Sequence, residues 1–188
     1  MKKNNYQFYN PAIKKYGISA KGVRWNSKYS QYKRFEVLTN FIENEIKKSN
    51  IVDAGCGFAE YYNYLFDNNL KPKSYIGIDC EEKMIEIASK RFLNTSFYIK
   101  NILQDEIPFA DYYICSGAMN ILEKNEAFIF INNCFNASKK AFIFNLLKND
   151  QLSKLNITDI YTYCKSLSNK INIRENYLDN DISILMEK

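Results

Sequence analysis

The sequence predicts an α/β protein built on a doubly wound, mostly parallel sheet with helices on both faces. Three observations carry that prediction. Short apolar runs alternate with helix-like stretches from residue 50 to residue 145, and two of the runs, Ile51-Val52-Asp53 and Tyr75-Ile76-Gly77-Ile78-Asp79, end on a carboxylate. The first run is followed at once by Gly55 and Gly57. Strands and helices that alternate in this way form a parallel sheet with right-handed crossovers, and its ligand crevice lies at the carboxyl ends of the strands.

Taken in order, residues 1–26 read as a basic N-terminal helical arm or lid, with a short helix broken by Pro11 and turns at Gly17 and Gly22. The core is expected over residues 27–188, and the whole of 1–188 as a single domain. Ser27 or Ser30 can cap a helix in which Phe35, Leu38, Phe41, Ile42 and Ile46 recur at helical spacing, ending near Asn50. Strands are then expected at 50–54, 74–78, 96–100, 111–115 and 140–145, separated by helices at 58–68, 82–92 and 123–137. Pro72 and Pro108 fall in connections, where the missing amide does no harm. The tail adds a helix at 157–167 and strands at 171–175 and 181–187.

Composition narrows the chemistry. The chain has 188 residues, 46% of them hydrophobic, and no apolar run of signal or membrane-spanning length, so a cytoplasmic protein without a membrane partner is expected. Cys56, Cys80, Cys115, Cys134 and Cys164 form no close Cys-x-x-Cys pair and are expected as free thiols. Histidine is absent, which removes imidazole metal ligands and the usual proton shuttle, and no metal is expected. The net charge of +5 is uneven: Lys2, Lys3, Lys14, Lys15, Lys21, Arg24, Lys28, Lys33 and Arg34 precede the first acid. With Tyr6, Phe8, Tyr9, Tyr16 and Trp25 interleaved, that arm could grip nucleic acid; an amphipathic arm closing over a pocket is the simpler and favoured reading.

Gly55 and Gly57 leave out side chains where the backbone must bend toward a ligand, and the next helix aims its amides at the same place. Asp79 lies where a ribose-binding acid is needed. A Rossmann dinucleotide site would want Gly or Ala at position 60, and Glu60 there argues against a pyrophosphate. The stretch Val52-Asp53-Ala54-Gly55-Cys56-Gly57, with Asp79 after it, resembles the glycine loop of the class I S-adenosylmethionine (SAM) dependent methyltransferases. A softer resemblance, to a small and largely uncharacterised bacterial branch, rests on Trp25, Ser27, Ser30, Gln31, Arg34 and Phe35 before the loop. Ser116-Gly117 and Asn145-Leu146-Leu147 extend it after the loop.

The resemblance implies a Rossmann-like seven-stranded sheet whose antiparallel last strand inserts between the fifth and sixth, SAM as cofactor and S-adenosylhomocysteine as product. It implies that Asp53 positions the methionine amino group, that Ala54, Gly55, Cys56 and Gly57 cradle the cofactor, and that Asp79 grips the ribose. Cys80 and Met84 would pack beside the adenine, with the Asn101 side-chain carbonyl and the Ile102 amide at its edge. Gln31 and Arg34 lie one helical turn apart, and the Arg34 fork suits the methionine carboxylate. Trp25 would shield the sulfonium. Ser116, Gly117 and Asn120 at the fourth strand's end face the transferred methyl, with Asn145 and Tyr177 as further acceptor contacts. Ser116, Asn120 and Tyr177 are the catalytic candidates. The Pro-Pro-aromatic signature of enzymes that methylate nucleobase amines is missing after the fourth strand, which disfavours that substrate. The reaction implied is in-line methyl transfer to a small-molecule acceptor. RNA methylation through the basic arm and SAM binding without catalysis are the alternatives.

Overall fold

The computed structural model describes residues 27–148 and 155–188, together with Pro11, Lys14, Lys15, Gly17 and Ser19. The arm's helix is described only at Pro11, Lys14 and Lys15, all helical, while its turn at Gly22 and Trp25 lie outside the described residues; Gly17 has the positive φ, +62°, that its predicted turn requires. In chain order the elements are α1 (Lys28–Asn40), β1 (Asn50–Ala54), α2 (Glu60–Asp67), β2 (Ser74–Asp79), α3 (Glu82–Arg91), β3 (Ser96–Ile99), β4 (Ala110–Ser116), α4 (Lys124–Ala137), β5 (Ser138–Leu147), α5 (Ile157–Leu167), β6 (Lys170–Glu175) and β7 (Asp181–Glu187).

The seven strands form one sheet in the order β3-β2-β1-β4-β5-β7-β6. β1 pairs in parallel with β2 and β4, and β4 in parallel with β5, whereas β7 runs antiparallel to both β5 and β6. The last strand is therefore inserted where the resemblance placed it. Residues 112–115 of β4 are all buried, as a central parallel strand covered on both faces must be. On one face Phe35 and Leu38 of α1 and Tyr61 and Leu65 of α2 pack on Ile51, Ile114 and Ile143. On the other, Ala127, Ile131 and Cys134 of α4 and Ile160 of α5 pack on Val52, Tyr113, Phe142 and Ile184.

Element boundaries differ from expectation where local bonding overrides periodicity. Ser27 caps α1, its Oγ accepting from the Ser30 amide at 3.1 Å, but the helix ends at Asn40 rather than near Asn50. Beyond it the chain tightens into turns, with Ile42 N donating to Thr39 O at 2.9 Å and Glu45 N to Ile42 O at 2.8 Å, so Ile42 and Ile46 stay buried without a continuous helix. A capping box between Glu123 and Glu126 starts α4, and α4 runs straight into β5 with Ser138 as the shared residue. A short 3-10 turn at Ala118–Ile121 was not expected.

Gly77, in the middle of β2, is required by packing. A Cβ there would lie 2.5 Å from the Phe97 ring on one side and 2.9 Å from Cys56 Sγ on the other. Gly77→Ala should destabilise the protein by roughly 1–3 kcal/mol, the usual cost of overpacking, read as a lower urea midpoint at unchanged slope.

Candidate active site

The site is built at the carboxyl ends of β1, β2, β4 and β5. The loop after β1 is pinned to β2: Ile78 O accepts from Gly55 N at 2.8 Å and from Cys56 N at 3.0 Å. Left-handed backbone recurs at every second residue, with φ +80° at Gly55, +53° at Gly57 and +61° at Ala59. The third member of that series is at 59, one residue before the position where a dinucleotide loop wants its third small residue. An alanine there costs about 1–2 kcal/mol of backbone strain, borne by a fully buried side chain. At Gly55 a Cβ would come within 2.3 Å of Ala118 Cβ, so the loops after β1 and β4 touch through this glycine.

Asp79 ties two loops together. Its Oδ2 accepts from Gly57 N and its Oδ1 from Glu81 N, each at 2.9 Å. A carboxylate offers about four lone-pair positions, and with the Cys80 amide also drawn to Asp79, room remains for a further donor from an incoming ligand. Glu60 has its own structural partner: it pairs with Arg91 at 2.7 Å, and Arg91 also donates to Phe58 O, which braces the start of α2.

Asp53 is buried, and the Tyr75 hydroxyl donates to its Oδ2 at 2.5 Å. Burial pushes the Asp53 carboxyl up to about 7; the Tyr75 hydrogen bond opposes the shift and the neighbouring Asp79 charge adds to it. Burial also raises Asp79, against the pull of the amides of Glu81, Gly57 and Cys80. Two acids on adjacent strands, Asp53 buried and Asp79 half-buried, are thus both held above the usual carboxylate range, and a ligand bringing positive charge and hydroxyl donors offsets that cost.

Arg34 and Gln31 on α1 are both buried. The Arg34 fork, expected to clamp a ligand carboxylate, engages Asp181 instead, with Nε on Oδ1 at 2.5 Å and Nη2 on Oδ2 at 2.8 Å. Ser116, Asn145 and Ser183 stand in register across β4, β5 and β7, and so share one face of the sheet. Ser116 Oγ and Asn145 Oδ1 are buried and have no protein partner. Gly117, with φ +79°, turns the chain after β4. Asn120 Oδ1 accepts from Leu147 N at 3.1 Å, which gives this catalytic candidate a stapling role between the β4 loop and β5. Tyr177 shares a 2.7 Å hydrogen bond with Ser183, and burial pushes its phenol up to about 12, too high for a base at neutral pH.

Ala54 is buried at the end of β1 and Cys56 in the loop after it, Met84 is buried in the first turn of α3, and Cys80 is exposed. Asn101 forms a turn: its Oδ1 accepts from Leu103 N at 3.0 Å while its amide donates to Asp105 at 2.7 Å. Ile102 is buried beside it. Sequence reasoning missed Asp181, Tyr75 and Ser183, and no local motif marks any of them. A hollow of about 450 Å³ opens at the opposite, amino end of the sheet beside Phe41, Tyr112 and Leu185. Its Lys140 is paired with Glu45 at 2.9 Å, and it lies away from the glycine loop.

Residues 51–141 match the family model described as a methyltransferase domain. Among solved structures, the PH0226 protein from Pyrococcus horikoshii OT3 is 14% identical, with a TM-score of 0.72 over 93% of this chain and 98% of that one. A TehB-like SAM-dependent methyltransferase from Corynebacterium glutamicum is also 14% identical, with a TM-score of 0.72 over 98% and 100%. Magnesium protoporphyrin IX methyltransferase from Synechocystis PCC 6803, solved with bound S-adenosylhomocysteine, is 13% identical with a TM-score of 0.66 over 83% and 84%. At such identities the likeness establishes the fold. In sequence, "Putative methyltransferase 235L" of Invertebrate iridescent virus 6 is 29% identical over 63% of this chain and 47% of its own length. The chain thus spans about half the length of the curated relative it matches. Just under half of the chain thus matches a methyltransferase domain, within a fold shared with SAM-dependent methyltransferases of known structure. Among the described residues no helix is long and apolar enough to cross a membrane.

Proposed function

We propose that the protein binds SAM at the β1–β2 edge and transfers its methyl group to a small-molecule acceptor held over β4 and β5. The reading takes residues 1–188 as a single domain, with 27–188 as its Rossmann-like core and 1–26 as a basic arm or lid. The observation that carries the reading is the pair of acids on neighbouring strands, buried Asp53 and half-buried Asp79, joined through the left-handed glycine loop. Their chemistry fits the ligand: Asp53 suits the methionine ammonium, and the Asp79 carboxylate suits the ribose hydroxyls. Gly55 and Gly57 give the backbone its close approach, and Met84, Cys80 and the Asn101-Ile102 turn flank the adenine.

When bound, SAM supplies an electrophilic methyl on sulfur. The protein aligns the acceptor and excludes water, an effect that can remove roughly 7–11 kcal/mol of barrier when the geometry is near attack. Tyr177 and the buried Cys115, whose thiol is pushed up to about 12, keep their own protons at neutral pH, so a proton lost by the acceptor as its bond to the methyl forms and the methyl–sulfur bond breaks passes to solvent.

Calorimetry on the full chain tests the reading. SAM and S-adenosylhomocysteine should bind, NADH should not, and Asp79→Ala should weaken SAM roughly ten- to hundredfold by removing charge-assisted bonds. Binding of NADH but not SAM would overturn it.

A further inference from the structure

A second set of groups at this edge of the sheet is incomplete as it stands. Ser116, Asn145 and Ser183 project from adjacent strands onto the α1 face, where Arg34 and Asp181 form their ion pair and Tyr177 bonds Ser183. Asn145 is fully buried, and its amide orientation is fixed: Nδ2 faces Asp181 Oδ1 at 3.4 Å, since the reversed amide would set oxygen against a carboxylate. Its carbonyl Oδ1 must then face away from Asp181, and it finds no donor; Ser116 Oγ, on the neighbouring strand, finds no partner either. Two buried acceptors left open side by side are unusual in a folded protein, because each costs the desolvation of a polar group.

Their place gives them a use. Asp53 pairs with Ile114, so Ser116 lies two residues further along β4, level with Gly55 and next to the loop that touches it. We infer that Asn145 Oδ1 and Ser116 Oγ bind the methyl acceptor, and that the acceptor presents a hydroxyl or amino hydrogen in a small molecule that carries no phosphate or carboxylate. Asp181 balances the charge of Arg34, so the cluster carries no net positive charge to draw a phosphate or carboxylate. Asp181 is a positioning residue that sets which end of the Asn145 amide meets the acceptor. The inference rests on the methyl-transfer reading and narrows its substrate class.

The test uses the full chain, labelled SAM and the small molecules of a bacterial extract, with products separated into neutral or amine-bearing, phosphorylated or carboxylated, and macromolecular fractions. Label should enter the neutral and amine-bearing fraction, hydroxyl and amine acceptors being separated by acylation. Asn145→Leu and Ser116→Ala should each cut transfer about tenfold, the effect of one lost hydrogen bond, while calorimetric binding of S-adenosylhomocysteine stays unchanged. Label in the phosphorylated, carboxylated or macromolecular fractions would overturn the inference. So would unchanged transfer in both variants, which would make the pair a water site, or no transfer by a protein that binds S-adenosylhomocysteine. Loss of S-adenosylhomocysteine binding by the unmodified protein would instead defeat the methyl-transfer reading itself.

Discussion

Arg34→Met should unfold the protein about 3–5 kcal/mol more easily, because it strands the Asp181 carboxylate in a site where the two side chains are only 6% and 2% exposed. Asp181→Leu should cost a similar amount by stranding the guanidinium. The double replacement should recover most of the loss, since an apolar pair of similar volume avoids the desolvation of both charges. Urea denaturation of the three variants checks this, and the double variant also decides what Arg34 is for. If it binds SAM as tightly as the unmodified protein, Arg34 holds α1 against β7 and takes no part in gripping the cofactor. If SAM affinity stays low although stability has returned, the guanidinium also reaches the methionine carboxylate. Additive losses in the double variant would refute the account of a mutually dependent pair.

The Arg34–Asp181 pair shows where sequence reading stops. Its members are 147 residues apart, and only the insertion of β7 between β5 and β6 brings Asp181 under α1. Asp53 and Asp79 were legible because each closes a short apolar run with a turn signal beside it, and periodicity together with glycine chemistry is local information. Tyr75 is local too, but its period placed it simply in the core. That it bonds Asp53 depends on the parallel register, in which Tyr75 pairs with Ile51. Ala59 misled differently, since nothing in an alanine announces left-handed backbone; the loop's fixed spacing imposes it. The early end of α1 has a similar cause, because apolar residues at helical spacing can be buried by successive turns as well as by a helix. Ser116 and Asn145 could be suspected residue by residue, yet their alignment with Ser183 in one row is a property of the sheet.

SAM affinity should rise with pH and level off near pH 7. Because the Asp53 carboxyl is held near 7 in the free protein, a proton must leave before it can pair with a ligand ammonium. Below that value each unit of pH reduces the competent fraction about tenfold, so affinity at pH 5 should be about a hundredfold lower than its plateau. The same shift acts on folding with a definite sign. Asp53 in the unfolded chain titrates near 3.9. Between that value and about 7 the unfolded state has released its proton while the folded state keeps it, so stability falls as pH rises through this window and is flat above it. SAM bound to the ionised acid offsets that loss. Two variants separate Asp53 from Asp79, whose carboxyl burial also raises. Asp53→Asn should flatten most of the pH dependence while lowering affinity, because it leaves Asp79 in place. Tyr75→Phe should move the midpoint upward, since it removes the hydrogen bond that favours the charged form. Calorimetry of SAM binding from pH 5 to pH 7.5, in buffers of different ionisation enthalpy, would report both the affinity slope and the proton released. A flat profile in the unmodified protein would mean that Asp53 does not meet the cofactor's ammonium.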